Sequence, residues 1–124
     1  MMTAQEIGNE LVALCQRGKN MEAIEKLYSP SIESVEAMAH PQIGQVQKGL
    51  DAVKGKNQWW VDHHQIHKAE VGGPFVNGDR FIVHFTYDVT PQQTGQRMTM
   101  TETGLYTVQN GKIAKEEFFY TMCQ

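Results

Sequence analysis

The sequence predicts an α+β domain in which a curved antiparallel sheet, covered by about three N-terminal helices, forms a cone-shaped barrel around a pocket. Apolar residues recur at helical spacing in the first half of the chain and at every second position from Ile66 onward. Asn110-Gly111 separates two long alternating segments, and this dipeptide is a strong hairpin signal. Helices and strands kept apart along a chain favour an antiparallel sheet. A twisted sheet with helices on one side leaves room for an apolar ligand.

Length, charge and cysteine content limit the possibilities. The 124 residues suffice for a single domain, 1–124. The net charge is -3 and no window gathers the basic residues, which argues against nucleic acid as a partner. The start has no signal-peptide pattern and no apolar run could cross a bilayer, so we expect a cytoplasmic protein with no membrane association. Cys15 and Cys123 are too few for a disulfide framework and are predicted to be reduced thiols.

Three helices are predicted from apolar residues at spacings of three and four. They cover residues 3–17, 21–27 or 28, and 49–65. Thr3 and Glu6 match a capping box at the start of the first helix. Asn20 is the expected cap of the second helix, and Pro30 closes it.

Strands are predicted from alternation and from the turn residues between the alternating segments. They cover residues 31–39, 66–71, 80–90, 97–108 and 112–122, with a short extension at 75–76. Gly72-Gly73-Pro74 breaks the second strand, and Asn77-Gly78-Asp79 makes a turn. Residues 40–48 contain Pro41 and Gly44 and are predicted to be a loop.

Neither a metal nor a cofactor is expected. His63 and His67 would lie one turn apart on a helix, as metal ligands do. The predicted helix ends near Gln65, however, and no acidic residue stands at the spacing of a zincin motif, so His63, His64 and His67 are interpreted as solvated side chains. The sequence also has no glycine-rich phosphate loop, no nucleotide fingerprint and no nucleophile with a base beside it.

Two stretches resemble a known family. The segment GLYTVQNGKIAKEEFFY, preceded by RMTMTE and FIVHFTYDVT, resembles the SnoaL-like polyketide cyclases of the nuclear transport factor 2-like superfamily. The earlier segment MEAIEKLYSPSIESVEA resembles the second helix and first strand of that superfamily. The resemblance spans residues 21–120 and implies a cone-shaped shell, usually dimeric, around a mostly apolar pocket. The superfamily includes enzymes, among them the ketosteroid isomerases, and also binding modules and assembly domains, so fold alone does not decide function.

The resemblance implies a catalytic base at Glu36. Where ketosteroid isomerases keep an oxyanion-stabilising tyrosine and a carboxylic acid, this chain has Val12 and Thr103, which argues against steroid isomerisation. Tyr120 or His84 could supply a hydrogen bond instead. If Glu36 points inward, its pKa should rise from about 4.3 toward neutrality, as suits a general base. The alternative is a carboxylate at the rim of a short exposed strand.

The register of the last hairpin predicts which side chains face the pocket. With Gln109 opposite Lys112, the pairs are Leu105 with Glu116, Thr103 with Phe118, and Thr101 with Tyr120. The inward face would then carry Glu116, Thr103, Phe118 and Tyr120. The outer face would carry Met98, Met100, Glu102, Tyr106, Glu117 and Phe119, and this apolar surface predicts a homodimer. A bulge would exchange the two sets, and Glu116 could also belong to a solvated strand face.

Eight residues are predicted to line the pocket. They are Val12, Tyr28, Trp59, Val83, Phe85, Thr101, Thr103 and Phe118. Trp59 and Trp60 are adjacent on a helix, so only one of them can point fully inward, and both could equally be ordinary core residues.

Three functions are compatible with these patterns. The first is a dimeric domain that binds a small apolar carbonyl compound and catalyses cyclisation, isomerisation or dehydration by proton transfer, with Glu36 as base and Glu116 or Tyr120 as partner. The second is a non-catalytic ligand-binding or assembly domain with the same shell. The third is a structural pairing module with no open cavity. The inferences from sequence do not decide whether the chain is an enzyme.

Overall fold

A computed structural model describes residues 1–121 and confirms the predicted α+β class. The helices are α1 (Ala4–Gln16), α2 (Asn20–Leu27) and α3 (Leu50–His63), and the strands are β1 (Tyr28–His40), β2 (Gly44–Lys48), β3 (His64–Asn77), β4 (Arg80–Pro91), β5 (Met98–Gln109) and β6 (Lys112–Phe119). The predicted end of the last strand at Met122 and the thiol of Cys123 lie outside the described residues. None of the helices within residues 1–121 is both long and apolar enough to cross a membrane.

The six strands form one curved, unclosed sheet in the order β2-β1-β6-β5-β4-β3. All neighbours are antiparallel except β1 and β6, which run parallel. The helices pack against one face of the sheet, called the inner face here, and the opposite side is the outer face. The main core lies between α1, α2 and the inner face, and its fully enclosed members include Ile7, Leu11, Ile32, Phe81 and Val83.

The helices follow the sequence closely. Thr3 and Glu6 form the predicted capping box at α1. The prediction for α2 is wrong by one position, because Asn20 is already helical and Lys19 is the cap residue, without a side-chain bond. Helix α3 ends earlier than expected, since His64 adopts an extended conformation and begins β3.

Three strand predictions need correction. The predicted loop at 40–48 contains the edge strand β2, which pairs with β1. Pro30 was expected to close α2 and to precede the first strand. It lies instead inside β1, at an irregularity in the pairing of β1 with β6. Strand β3 continues through the predicted break at Gly73, where φ is 115° and a Cβ would come within 2.9 Å of a β4 carbonyl.

A β-bulge in β6 decides which side chains face inward. Gln109 lies opposite Lys112, as predicted, and Val108 lies opposite Ile113. Thr107 then lies opposite Lys115, so that β6 contains one extra residue. The partner of Glu116 is consequently Tyr106, and the partner of Phe118 is Gly104.

Because of the bulge, the predicted inner face is right for β6 and wrong for β5. Glu116 and Phe118 face inward as expected, but Thr101 and Thr103 lie on the outer face and Glu102 and Tyr106 on the inner face. The other members of the predicted outer apolar patch, Met98 and Met100, also alternate toward the inner side, opposite Val89 and Tyr87. Phe119 and Glu117 remain on the outer face.

Candidate functional site

The side chain of Lys56 forms the centre of the candidate site, where it is connected to Glu36 on β1 and to Glu116 on β6. The Lys56 ammonium lies 2.7 Å from Glu36 Oε2, and the two side chains are only 12% and 19% exposed. Tyr120 donates a hydrogen bond of 3.0 Å to Glu36 Oε1. Burial, followed by the nearby Glu36 carboxylate, raises the pKa of Tyr120, so its hydroxyl remains a donor at neutral pH. Both carboxylate oxygens of Glu36 are therefore held by donors.

A second carboxylate lies deeper on the same inner face. Glu116 is 3% exposed and accepts hydrogen bonds from Tyr28 at Oε1 and from Ser34 at Oε2, the latter at 2.7 Å. Lys56 donates to the same Ser34 hydroxyl. Burial raises the pKa of Glu116, whereas the Lys56 charge and the two hydroxyl donors act in the opposite direction. The two carboxylates are thus connected by Lys56 and Ser34.

Glu102 supplies a third carboxyl group to the inner face. It lies on β5 opposite Phe85, and continuation of the β5–β6 register brings it opposite Tyr120. Burial, and next the charge of Glu36, raises the pKa of Glu102 to about 8, although Lys56 acts against the rise. At neutral pH this carboxyl group is mainly protonated and can donate a hydrogen bond.

Local structure explains why these groups meet. Alternation along β1 turns Ile32, Ser34 and Glu36 to the inner face. On α3, Val53 and Lys56 are three residues apart and share a face, which places the lysine above the sheet. Its ammonium also lies 5.1 Å from the centre of the Phe118 ring, a cation–π contact.

An aromatic layer lies at the C-terminal end of α3. Trp60 contacts Tyr87 on the inner face of β4, with ring centres 5.1 Å apart, and stacks on His64 at 4.3 Å. Trp59 instead packs between His40 and His63. Of the two tryptophans, Trp60 is therefore the one that approaches the inner face.

Access to Glu36 comes from an open cleft of about 500 Å³ beside the ends of β1 and β6. Glu36, Phe118 and Tyr120 contribute to its wall, together with Thr121. A ligand in this cleft could therefore approach the Glu36 carboxylate, whereas Glu116 lies behind Ser34 and Lys56.

The remaining predicted residues divide into two groups. The residues Val12, Tyr28, Val83 and Phe85 are each buried in the core. Thr101 is exposed, and Thr103 lies on the outer face within 3.1 Å of the exposed His84, so neither it nor His84 reaches the candidate site. His63 and His67 do not share a helical face, because α3 ends at His63.

Sequence reasoning missed Lys56, Ser34 and Glu102. Lys56 could have been found from its spacing to Val53 on the apolar face of α3, and Ser34 from alternation with Glu36. Glu102 could not, since its orientation depends on the bulge.

Comparison with known proteins places this arrangement in a family. A family model of the SnoaL-like domain matches residues 2–120. A Mesorhizobium loti protein described as a candidate SnoaL-like polyketide cyclase and carbohydrate phosphatase is 47% identical, with 96% of this chain and 100% of that chain covered and a TM-score of 0.91.

Two more distant structures share the fold. An NTF2-like protein from Burkholderia thailandensis is 20% identical, with 98% of this chain and 92% of that chain covered and a TM-score of 0.80. A candidate polyketide cyclase from Pseudomonas putida is 19% identical, with coverages of 98% and 94% and a TM-score of 0.71. No functionally curated protein matches the chain. The chain belongs to the SnoaL-like domain family.

Proposed function

We propose that this protein binds a small, largely apolar carbonyl compound in the cleft beside Glu36 and catalyses proton transfer next to the carbonyl group. The observation that carries the proposal is the position of Glu36, whose two oxygens contact Lys56 and Tyr120 at the wall of the cleft. A carboxylate with adjacent donors is the arrangement needed to take a proton from carbon and to stabilise the oxyanion that results.

The chemistry follows from the charges. Glu36 takes a proton from the carbon beside the carbonyl, and the C–H electron pair moves to form an enolate. Glu36 is then neutral, so the Lys56 charge that it had balanced becomes available to the enolate oxygen. Tyr120, which lines the cleft and remains protonated at neutral pH, can donate a hydrogen bond to that oxygen, and the protonated Glu102 lies opposite Tyr120 on the inner face. Donors of this kind are each worth about 10²–10³ in rate.

The fate of the enolate defines the reaction. Return of the proton from Glu36 to another carbon gives isomerisation. Attack of the enolate carbon on a second carbonyl of the same molecule closes a ring, and the alkoxide formed from that carbonyl takes the proton back from Glu36. The description of the 47% identical Mesorhizobium loti protein as a candidate polyketide cyclase supports this second outcome.

The phosphatase description of the Mesorhizobium loti protein fits this site less well. The Lys56 ammonium pairs with Glu36 and is connected through Ser34 to Glu116, whereas Glu102 is mainly protonated. A phosphate ester would bring further negative charge to a site in which one cation already faces the carboxyl groups of Glu36 and Glu116. A neutral carbonyl compound meets no such repulsion.

The test measures proton abstraction directly. Cyclic ketones, polyketide-like aromatic ketones and fatty acids are screened by thermal shift, and each stabilising ketone is then incubated with protein in D₂O and followed by NMR. We expect deuterium at the α-carbon with wild type and a loss of about 10²–10⁴-fold in rate with Glu36→Gln. Glu33→Gln, which alters the opposite face of the same strand, is the matched control and should exchange at the wild-type rate.

Binding without deuterium exchange in wild type would contradict the proposed enzymatic function and would favour a binding or assembly domain.

One observation supports assembly as a second function. Side chains paired across all six strands form a row on the outer face, and all but one of them are apolar. They are Phe75, Ile82, Leu105, Glu117, Val35 and Val46.

We propose that this row, in place of the predicted methionine patch, is the surface for homodimer formation. Phe75, Ile82 and Val46 are 63%, 39% and 44% exposed, and such a stripe favours association. Light scattering after gel filtration should give a dimer for wild type and a monomer for Ile82→Asp. Thr101→Asp, on the same face away from the row, should remain dimeric, and a monomeric wild type would refute the proposal.

A further inference from the structure

Glu116 is connected to the candidate site through one hydroxyl group. Its Oε1 accepts from Tyr28 and its Oε2 accepts from Ser34. Ser34 is fully buried, and Lys56 donates to its oxygen. Glu116 does not line the cleft. Its hydrogen-bonded connection to Lys56 runs through the Ser34 hydroxyl.

The direction of the Ser34 hydroxyl gives this connection its effect. A serine hydroxyl has one proton and two lone pairs. Because the proton points to Glu116, a lone pair is directed at the Lys56 ammonium. If the proton turned toward Lys56 instead, two donors would face each other. The carboxylate of Glu116 thus makes Ser34 an acceptor for the lysine.

We propose that Glu116 is a positioning residue that acts through the Ser34 hydroxyl to hold the Lys56 ammonium against Glu36. The inference rests on the proposed function of the Glu36 cleft, in which the positive charge of Lys56 stabilises the enolate oxygen of the substrate. Ser34 has the same role, one step nearer to the lysine. Neither residue lines the cleft.

The quantity to be measured is the rate of proton exchange between the Lys56 ammonium and water. A lysine held by buried acceptors exchanges its protons slowly enough to give a side-chain signal in ¹⁵N–¹H spectra, and the signal is assigned by its loss in Lys56→Arg. Loss of one charge-assisted hydrogen bond corresponds to about a 10- to 100-fold change in an equilibrium. We therefore expect Ser34→Ala to accelerate exchange by about that factor, as measured from the broadening of the signal at low temperature. Ser34→Thr keeps the hydroxyl and should keep the wild-type exchange rate.

A double-mutant cycle tests the role of Glu116. Glu116→Leu should accelerate the proton exchange of Lys56 as much as Ser34→Ala does, and the double variant should show no further acceleration, because both changes remove one pathway. Glu117→Leu, the neighbour on the outer face, is the control and should leave the signal unchanged. If Glu116→Leu does not fold, Glu116→Gln replaces it, since an amide accepts the serine proton more weakly than a carboxylate does.

Two results would overturn the proposal. One is a wild-type exchange rate of the Lys56 ammonium in Ser34→Ala or in the Glu116 variant, and the other is an additive acceleration in the double variant, which would mean that Glu116 acts on the lysine directly. The spectra are recorded without substrate. A failure of deuterium exchange in the ketone assay therefore refutes the proposed function without changing this result, and the reverse also holds.

Discussion

Replacement of Glu102 by glutamine should remove a fall in stability that the wild-type protein undergoes as the pH rises. Burial raises the pKa of Glu102 from 4.5 to about 8, so between these values the folded chain binds a proton that the unfolded chain has released. The stabilisation from that proton is complete below the unfolded pKa and is lost as the pH rises through the folded pKa. Stability should consequently decrease from about pH 4.5 to about pH 8.

The size of the effect follows from the same pKa change. One bound proton corresponds to a slope of about 1.4 kcal/mol per pH unit in the free energy of unfolding. The full rise from 4.5 to about 8 corresponds to at most about 5 kcal/mol, and partial exposure of the side chain reduces this toward about 3 kcal/mol. Glu116, whose pKa is also raised, contributes a slope of the same sign that the variant retains.

Urea unfolding followed by the fluorescence of Trp59 and Trp60 measures this slope between pH 5 and 9. A glutamine resembles the protonated acid, so we expect similar stability for both proteins at pH 5 and a variant more stable by about 3 kcal/mol at pH 9. Glu70→Gln, in an exposed ion pair with Lys68, is the control and should follow wild type. A difference between Glu102→Gln and wild type that is constant from pH 5 to 9 would refute a raised pKa and remove Glu102 as a proton donor.

Four further substitutions test the Lys56–Glu36 ion pair, the space around two glycines and the cap of α1. Lys56→Met should lower the free energy of unfolding by about 3 kcal/mol at pH 7, because its carboxylate partner stays buried without a counter-ion, and an unchanged urea midpoint would contradict the ion pair. Gly104→Ala places a Cβ 2.8 Å from the Tyr106 ring and should cost about 1–3 kcal/mol by calorimetry, whereas Gly55→Ala, with open space around it, should stabilise α3 by about 0.5–1 kcal/mol. Thr3→Ala should cost about 1 kcal/mol and speed amide exchange in the first turn of α1, and unaltered exchange there would argue against the capping box.

The sequence was sufficient for the elements that local patterns specify. The alternation of Phe81, Val83 and Phe85 gives β4 because each apolar residue has a buried position to fill. Asn110 and Gly111 both adopt positive φ, as the predicted hairpin turn requires. Strand β2 was missed because Val46 is its one apolar residue and points to the outer face, so that its hydrogen bonds with β1 define the strand.

The site was predictable only where the side chains follow an uninterrupted alternation. Ser34 lies in the regular part of β1 and Glu36 directly follows the last regular pair at Val35, so alternation still assigns both to one face. The bulge after Ile113 has no glycine or other local signal, because its extra residue is the ordinary Ala114. The orientation of Glu102 depends on that long-range pairing, which the order of residues alone does not show.

The parallel pairing of β1 with β6 has a consequence for how the protein is made. The contact between Tyr28 and Glu116 joins residues 88 positions apart, and that between Glu36 and Tyr120 joins residues 84 positions apart. Strand β6 occupies the middle of the sheet but follows every other strand along the chain. During synthesis on the ribosome, the first five strands emerge before β6, so β1 and β5 lack the strand that pairs with both of them. Chaperones that cover exposed strand edges would matter most in that interval.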